Sequence, residues 1–415
     1  MPLTKVSFSV IQVANNVTST TVGNTTSIPS FTFDQNGVIT SASNTAISGA
    51  GITANTVANS AFQTGSVENY LRGANLDFGM RNRIINGAMR IDQRNSGSAV
   101  TINSSANIFA VDRFCGFGES TDGVFTLQQS SVAPNGFNNS LLATVTTADA
   151  SIGGSQRYFV RQGIEGFNTA DLLWGTASAR PVTLSFWVRS SLTGPFGGSF
   201  MNDNFDRAYP FSYTISAANT WEQKFITLAG DTTGTWLKTN GGGIYVIFSM
   251  GAGSLRVGTA GAWQTPSQAL FGATGQTNII ATNGATWYIT GVQLEEGSVP
   301  TPFEYRHHAT ELQLCQRYYE VQGFATQAIT VSGTNYGIGA GNLTYYESLP
   351  FAVVKRAAPT VAISGTWTYS NVNGAVTVFG SGTSSYSLQI VNGGSTGTVY
   401  ATTSTTSGIT ASIEI

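Results

Sequence analysis

The sequence predicts a mainly β protein with an antiparallel jelly-roll sandwich in the middle, a small β-rich C-terminal domain, an extended N-terminal segment and one short linker helix. Short apolar stretches alternate with polar residues at a period of two and are separated by Gly, Asn and Ser. Helical periodicity is almost confined to one short segment. Charged residues are 10% of the 415, and 48 are glycines. Hydroxyl and amide groups must therefore supply most of the polar surface.

Residues 1–75 are predicted to form an anchoring and oligomerising segment. An Asn-Gly pair, Asn36 and Gly37, lies between two alternating apolar runs, which is the strongest short-range signal for a tight hairpin. The apolar residues that follow are too sparse for a monomeric core, but they suit a seam between copies of the chain: Ile52, Val57, Phe62, Val67 and Leu71. We expect this segment to become ordered by association.

Residues 76–306 are predicted to fold as the jelly-roll domain, because many short strands are punctuated by turn residues. The segment at 184–189 alternates between apolar residues for the core and side chains that point outward. The segment at 244–250 is nearly apolar throughout and predicts a central strand. A further strand is predicted at 286–294.

One helix is predicted at 310–320, within a linker at residues 307–320. Thr310 and Gln313 have the spacing of a capping box, and apolar residues follow on one face. After this helix the pattern returns to short strands, which predicts a C-terminal β domain at 321–415. Strands are expected there at residues 360–363, 375–379 and 386–391.

Composition excludes several classes of partner. The formal net charge of −2 provides none of the clustered positive charge that neutralises phosphates, so nucleic acid is rejected as a partner. No stretch approaches the roughly 18 apolar residues of a membrane helix, so membrane insertion is not expected.

The two cysteines, Cys115 and Cys315, lie far apart and fit neither a metal motif nor a disulfide framework. Two buried thiols are favoured over a bridge.

Paired charges suggest structural roles more than catalysis. Asp112 and Arg113 could act as a catalytic pair, but adjacent charges flanked by aromatic residues favour a structural ion pair. Glu295 and Glu296 are consecutive, and strand neighbours point to opposite faces. Unless the strand has ended before them, they therefore cannot share a cleft at the ~5–10 Å separation that glycoside hydrolysis needs. No catalytic residue and no enzyme activity are expected.

Metal sites have weak support in the sequence. The only histidines, His307 and His308, are adjacent, which is a poor arrangement for a metal or a catalytic triad, and a hinge is favoured. The segment NDNFD supplies clustered oxygen atoms, so Asp203, Asn204 and Asp206 are candidates for a structural Ca²⁺. The alternative is a solvated polar loop, because no EF-hand glycine pattern is present. No other cofactor is expected.

A family resemblance rests on several motifs that occur in order. They are NRIINGAMRIDQR (82–94), FAVDRF (109–114), LSFWVRSS (184–191), TWEQKFITLAGDTTGTWLKTNGGGIYVIFSMGAG (220–253), WYITGVQLEEGSVPTPFEYR (287–306) and ELQLCQRYYE (311–320). Over about residues 78–320 the chain resembles phage tail fibre and tail-associated lectin-like domains, whose jelly roll is similar to carbohydrate-binding modules. The segment FAVVKRAAPTV at 351–361 is similar to a motif of C-terminal fibre domains.

The resemblance implies a function in host attachment. It implies a homotrimer in the virion tail fibre, made in the host bacterial cytoplasm and docked through its N-terminus to other tail or baseplate proteins. Such a fibre would attach the virion to a host polysaccharide or lipopolysaccharide without catalysis, and many copies would give avidity. Two alternatives stay open: a glycan-degrading tailspike depolymerase, and a capsid or baseplate decoration protein.

A glycan ligand would bind to exposed aromatic platforms. Candidates lie in Gly- and Ser-rich surroundings, which resemble surface loops. Each candidate could instead cap one end of a barrel. The candidate glycan-binding residues are Trp236, Trp263, Tyr345, Tyr346, Trp367 and Tyr369.

Overall fold

The computed structural model describes residues 27–35, 37, 39–46, 80–119, 121–323, 328–331, 344–364, 367–370, 372–391, 399–403 and 408–415. The chain separates into two compact units, Met1–Leu71 and Arg72–Ile415. The architecture is mainly β, as predicted, and the described residues include one α-helix. No helix among them is long and apolar enough to cross a membrane. The boundaries predicted after residues 75, 306 and 320 stay predictions.

The first unit contains a β-hairpin. Strand β1 (Ser27–Phe33) pairs antiparallel with β2 (Ile39–Ala46). Gly37, in the connecting turn, has a φ of +80°, a conformation that glycine adopts without the penalty imposed by a Cβ atom. The hairpin predicted from the Asn-Gly pair is confirmed. The predicted apolar seam lies outside the described residues: Ile52, Val57, Phe62, Val67 and Leu71.

The second unit contains a two-sheet sandwich. Its strands are β3 (Val100–Ile102), β4 (Ile108–Val111), β5 (Phe114–Gly118), β6 (Val124–Ser130), β7 (Ser140–Thr147), β8 (Arg157–Glu165), β9 (Val182–Ser190), β10 (Gly194–Met201), β11 (Ala208–Ile215), β12 (Glu222–Leu228), β13 (Gly242–Ala252), β14 (Val257–Gly258), β15 (Gly272–Ala273) and β16 (Thr286–Glu296). Single 3₁₀ turns occur at Gly166–Asn168, Ala170–Leu172 and Ile279–Ala281.

Each sheet of the sandwich has six antiparallel strands. The order in the first sheet is β12-β9-β16-β7-β6-β3, and the order in the second sheet is β11-β10-β13-β8-β5-β4. β14 and β15 form a short parallel pair outside these sheets. The predicted jelly-roll sandwich is confirmed. The strands predicted at 184–189, 244–250 and 286–294 correspond to β9, β13 and β16.

The core lies between the two sheets. Phe186 of β9 contacts Phe248 of β13 across the sandwich, with ring centroids 5.2 Å apart, and Phe248 also packs on Trp287 of β16 at 5.8 Å. All three side chains are buried, and burial of each phenylalanine contributes roughly 1.5–3 kcal/mol. Because β13 has a neighbouring strand at both edges and is buried along its length, its near-continuous apolar sequence is explained.

The linker helix begins and ends earlier than predicted. Helix α1 spans His308–Gln316 in place of the predicted 310–320. His307 is the N-cap residue, and its Nδ1 atom accepts a hydrogen bond from a first-turn backbone N–H at 3.3 Å. The capping box predicted from Thr310 and Gln313 is therefore wrong, since both residues lie inside a helix whose first turn is already capped.

Small sheets follow the helix. Their strands are β17 (Tyr319–Gly323), β18 (Ala328–Val331), β19 (Thr344–Pro350), β20 (Thr360–Ser364), β21 (Trp367–Ser370), β22 (Thr377–Ser381), β23 (Ser385–Val391), β24 (Val399–Thr403) and β25 (Gly408–Ser412). They pair antiparallel in the orders β17-β25-β20, β18-β24-β21 and β19-β23-β22. The strands predicted at 360–363, 375–379 and 386–391 correspond to β20, β22 and β23. Their core includes Tyr386, Leu388 and Ile390, which alternate along β23.

Buried polar contacts join the sandwich to the segment after α1. Glu165 of β8 is buried and accepts two hydrogen bonds from the guanidinium group of Arg317, at 2.6 and 2.8 Å. It also accepts one from the hydroxyl of Tyr318 at 2.8 Å. Removal of one partner from such a pair would leave a buried charge unpaired. The contact therefore holds the residues that follow α1 against β8.

The ion pair predicted between Asp112 and Arg113 is not formed. Asp112 accepts hydrogen bonds from Gln93 and lies 3.6 Å from Arg94, whereas Arg113 pairs with Glu414. The two residues lie in the tight turn between β4 and β5, where Arg113 has a φ of +72°. Their side chains therefore have different partners. Both charges are nevertheless buried and paired within the fold.

Candidate functional site

A cleft of about 390 Å³ lies on the outer face of the second sheet. Its residues come from β5, β8, the turn after β10 and the segment after β13, and Asn107 lies at its edge. We call it the arginine–phenylalanine cleft after the residues that line it: Arg157, Arg161, Arg256, Phe117, Phe159, Phe205 and Phe271.

Strand β8 positions three of these side chains. Tyr158 and Val160 point into the core of the sandwich. Arg157, Phe159 and Arg161 alternate with them and lie on the opposite face, because successive side chains of a strand point to opposite sides. The sequence RYFVR therefore contains a local signal for this site, an alternation of cations and an aromatic ring, which our sequence analysis missed.

The phenylalanines stack on one another. Phe117 and Phe159 are partners in the β5–β8 register, and their ring centroids are 4.9 Å apart with planes inclined by only 6°. Phe271 stacks on Phe159 at the same distance. Only 2% of the surface of Phe159 is exposed, so its ring supports the cleft but has little face left for a ligand.

The guanidinium groups lie over these rings. The Cζ atom of Arg157 is 4.7 Å from the ring centroid of Phe271 and 5.2 Å from that of Phe117. The Cζ atom of Arg161 is 4.6 Å from the ring centroid of Tyr245. Such cation–π contacts orient the cations and contribute about 0.5–2 kcal/mol each. Arg157 and Arg161 are thereby packed on aromatic rings at the cleft.

Positive charge exceeds negative charge in the cleft. Arg157 pairs with Glu119 at 3.1 Å, and Arg256 donates to the backbone oxygen of Ser155 at 2.9 Å. Arg161 is only 8% exposed, and its buried Nε atom has no hydrogen-bond partner among the described residues. No Asp or Glu is among the residues that line the cleft. Its available polar groups are therefore mainly N–H donors.

The pKa values of two groups reflect this environment. Burial lowers the pKa of Arg157; the charge of Glu119 opposes this effect, and the charges of Arg256 and Arg161 add to it. Burial raises the pKa of Tyr245 to about 12, so its hydroxyl stays protonated near neutral pH and donates to Asp203 at 2.9 Å. The arginines are thus close enough for their charges to repel one another.

A second surface of interest is an exposed aromatic pair on the last sheet. Tyr346 of β19 and Phe379 of β22 are 54% and 64% exposed, with ring centroids 4.6 Å apart. Gln389 of β23 is opposite Tyr346 in the strand register, so an amide lies beside the rings. We call Tyr346 and Phe379 the aromatic patch. It combines apolar ring faces with neighbouring polar groups, as sugar-binding platforms require.

Tyr345 and Trp367 are less exposed than predicted. Both are partly buried and pack against the small C-terminal core, because alternation along β19 turns Tyr345 inward and Tyr346 outward. The indole N–H of Trp367 donates to the backbone oxygen of Ser364 at 3.3 Å. Tyr369 belongs to β21, and its side chain lies outside the described residues.

The predicted exposure of Trp236 is wrong. Trp236 is 8% exposed and packs edge-to-face on Trp174 and Trp263, with ring centroids 4.8 and 5.4 Å apart. Its indole N–H donates to a backbone oxygen at 3.1 Å. Trp263 is partly buried in the same cluster and also packs on Tyr209. Three tryptophans from separate segments pack together, because burial of their large aromatic rings is favourable. The Gly-rich residues that flank Trp236 do not indicate this burial.

The calcium candidates have protein partners. Asp203 accepts the bond from Tyr245, and Asp206 accepts one from the amide of Asn202 at 2.6 Å. Within the described part of the chain, no group of three or more His, Cys, Asp or Glu side chains could hold a metal ion. Binding of Ca²⁺ by Asp203, Asn204 and Asp206 stays a prediction.

The paired acids lie apart, as their positions on a strand predict. Glu295 is buried and accepts a hydrogen bond from the backbone N–H of Thr301 at 2.8 Å. Glu296 pairs with Arg180 at 2.9 Å near the surface. His307 caps α1. None of these residues lines the arginine–phenylalanine cleft.

Comparisons with known proteins show no family. No protein-family model matches the chain, and no curated protein matches it. Among solved structures, it is similar to the enzymatically active domain of tailspike protein 4 of bacteriophage CBA120 (13% identity, TM-score 0.28, 52% of this chain and 21% of that chain). It is also similar to the family 11 carbohydrate-binding module of a cellulosomal cellulase of Clostridium thermocellum (11% identity, TM-score 0.23, 51% and 99%). A third match is TmCBM61 in complex with β-1,4-galactotriose (9% identity, TM-score 0.26, 52% and 99%).

The similar region spans about a fifth of the tailspike chain, 21% of its length. At these TM-scores the similarities do not support an inference about the function of this chain.

Proposed function

We propose that the chain is a non-catalytic receptor-binding subunit of a bacteriophage tail fibre, which attaches the virion to a host polysaccharide or lipopolysaccharide. The ordered motifs between residues 78 and 320 support the fibre assignment. As in the sequence analysis, the subunit docks to other tail or baseplate proteins through its N-terminus. Affinity for a repetitive surface comes from many weak contacts made by several copies.

The observation that carries the glycan assignment is the aromatic patch. Tyr346 and Phe379 are more than half exposed on an antiparallel sheet whose neighbouring outward side chains are hydroxyls and amides. Large exposed aromatic side chains stay in water at a free-energy cost unless they bind a partner. The faces of sugar rings offer the C–H groups that cover such rings, and Gln389 can hydrogen-bond the sugar hydroxyls.

Binding to an array of purified bacterial capsular polysaccharides and lipopolysaccharides tests this proposal. We expect the full chain to bind at least one glycan, and we expect Tyr346→Ala and Phe379→Ala each to weaken binding by up to about tenfold, since one stacked ring contributes roughly 0.5–1.5 kcal/mol. Phe225→Ala is the matched control, because Phe225 is 48% exposed on β12, outside the patch.

Two outcomes would overturn the proposal. Release of reducing sugar from the bound polysaccharide would favour a depolymerase over a non-catalytic fibre. Absence of adsorption to any bacterial surface, together with no block of infection by excess protein, would favour a decoration protein. Equal loss of binding in Phe225→Ala would show that the patch is not the contact surface.

We also propose a homotrimer assembled through residues 1–75. The described part of this segment is a two-stranded hairpin in which Phe31 and Phe33 are 44% and 57% exposed. An isolated hairpin is marginally stable in water, so association with other copies would stabilise it. Light scattering after gel filtration should give three times the monomer mass, and Phe31→Ser with Phe33→Ser should lower it. A monomer for the parent chain would refute the trimer.

A further inference from the structure

We propose that the arginine–phenylalanine cleft is a second binding site, selective for an anionic sugar whose carboxylate or phosphate group is held by Arg157, Arg161 and Arg256. The cleft shares no residue with the aromatic patch, so this inference goes beyond the glycan contact proposed above and does not depend on it.

The charge in the cleft favours an anionic ligand. Three guanidinium groups face one carboxylate, that of Glu119, which pairs with Arg157. Arg161 forms no ion pair within the described residues and is more than nine-tenths buried. A buried cation without a charged partner is destabilising, and guanidinium groups hold carboxylate and phosphate oxygens in two-pronged hydrogen bonds. An oxyanion in the cleft would supply the missing partner.

The aromatic residues explain why the ligand is not recognised as a neutral stacked sugar. Phe159 is covered by Phe117 and Phe271, and the guanidinium group of Arg157 lies over both of these outer rings. The rings therefore orient the cations and provide apolar walls, but they leave little ring face for a sugar to stack on. Recognition must come mainly from the N–H donors of the arginines.

The size of the cleft fits one or two sugar units. Its volume of about 390 Å³ lies near the lower end of the usual ~300–1,000 Å³ for small-molecule sites. Asn107 at the edge offers an amide for hydroxyl groups, and the phenylalanine edges can contact C–H groups. A charged group on a partly apolar, hydroxyl-bearing body is the chemistry of a uronic acid or a sugar phosphate.

Calorimetry with matched sugars tests the inference on the full chain. The probes are trigalacturonate, the neutral galactotriose that differs from it at C6, galactose 6-phosphate and inorganic phosphate. We expect trigalacturonate or galactose 6-phosphate to bind at least tenfold more tightly than galactotriose, about 1.4 kcal/mol. Comparison of the two acids identifies the anionic group. Binding should weaken as salt rises, because the contact is ionic.

Variants then assign the binding to the cleft. Arg161→Gln and Arg256→Gln should each weaken the acidic sugar at least tenfold and leave any neutral binding unchanged. Arg180→Gln is the control, because it removes the same charge from an arginine that pairs with Glu296 outside the cleft. Because Arg161→Gln removes the cation–π contacts of the guanidinium group together with its charge, the folding of this variant is checked by its melting temperature before binding is measured. Should it fail to fold, Arg256→Gln still decides the question, because Arg256 is only partly buried.

The results that would overturn this inference differ from those that would overturn the proposed function. Equal affinity for acidic and neutral sugars, or an acid affinity unchanged in both cleft variants, would refute an anion site while leaving host adhesion intact. A change in oligomeric mass without a change in sugar affinity would assign the arginines to contacts between copies. Binding of inorganic phosphate alone, with no acidic sugar bound, would refute recognition of a sugar.

Discussion

Asp112 should make the stability of the second unit depend on pH near neutrality. The carboxyl group is fully buried, accepts hydrogen bonds from Gln93 and lies 3.6 Å from Arg94. Burial raises its pKa from 3.8 to about 6, a change that outweighs the opposing effects of Gln93 and Arg94 and to which the charge of Glu414 adds. Asp112 therefore titrates in a range where an ordinary aspartate is already ionised.

The sign and size of the effect follow from these two pKa values. The folded protein holds the proton up to about pH 6, whereas the unfolded chain releases it near pH 4. The free energy of unfolding contributed by this group is fully present below the lower value and is lost as the pH rises through the higher one. At about 1.4 kcal/mol for each pH unit between the two values, the loss is about 3 kcal/mol.

Asp112→Asn removes the titration, because the amide is uncharged at every pH. Guanidinium unfolding followed by tryptophan fluorescence, at intervals from about pH 4 to about pH 7, gives the free energy of unfolding of both proteins. Other groups titrate in both chains, so the quantity of interest is the difference between the two pH profiles. We expect the parent to lose about 3 kcal/mol more than the variant across this range.

A control of opposite sign sharpens the test. Asp171 is half exposed, and although burial alone would raise its pKa, the hydrogen bond and charge of Arg83 lower it. Its stabilising contribution is thus present at neutral pH and lost as the pH falls through its folded-state pKa. Asp171→Asn should reduce acid sensitivity slightly. Parallel pH profiles for Asp112→Asn and the parent chain would refute the reasoning about Asp112.

Three further predictions follow from burial. Trp236→Ala should lower the free energy of unfolding by about 3–5 kcal/mol, because the indole packs inside a tryptophan cluster; an unchanged urea midpoint would contradict this. Gly87→Ala should destabilise strongly, because its Cβ would overlap a backbone carbonyl oxygen, whereas Gly380→Ala meets open space and should melt like the parent. Burial raises the pKa of the thiols of Cys115 and Cys315, so a disulfide exchange reagent should label them only after unfolding.

Local sequence patterns predicted the secondary-structure elements that are determined by residues close together in the sequence. The Asn-Gly pair predicted the first hairpin, and alternation predicted β9, because a strand with one buried face shows its period directly. The start of α1 was misplaced, since Thr310 and Gln313 have capping-box spacing but His307 makes the cap. Several plausible caps lay close together in the sequence, and only the backbone geometry selects one.

The arginine–phenylalanine cleft could not be predicted as a unit, because its residues are brought together by strand order. Phe117 and Phe159 become neighbours only through the pairing of β5 with β8, and Phe271 arrives from a segment after β13. Trp236 shows the opposite error, since Gly-rich flanks indicate a loop but not whether the loop folds over a core. Both outcomes depend on contacts between residues distant in the sequence.

The motifs behind the family resemblance and the candidate ligand surfaces occupy different residues. Asp112, Arg113 and Arg317 lie within the motifs and form buried pairs, and replacing one partner of such a pair leaves the other charge unpaired. All residues of the cleft and of the aromatic patch lie between or beyond the motifs. Replacement of the exposed Tyr346 and Phe379 would change the surface with little effect on the fold, whereas Phe159 and Phe271 are buried and belong to a core cluster. Such a resemblance can therefore predict the fold without predicting the ligand, and specificity must be derived from the intervening segments of each chain.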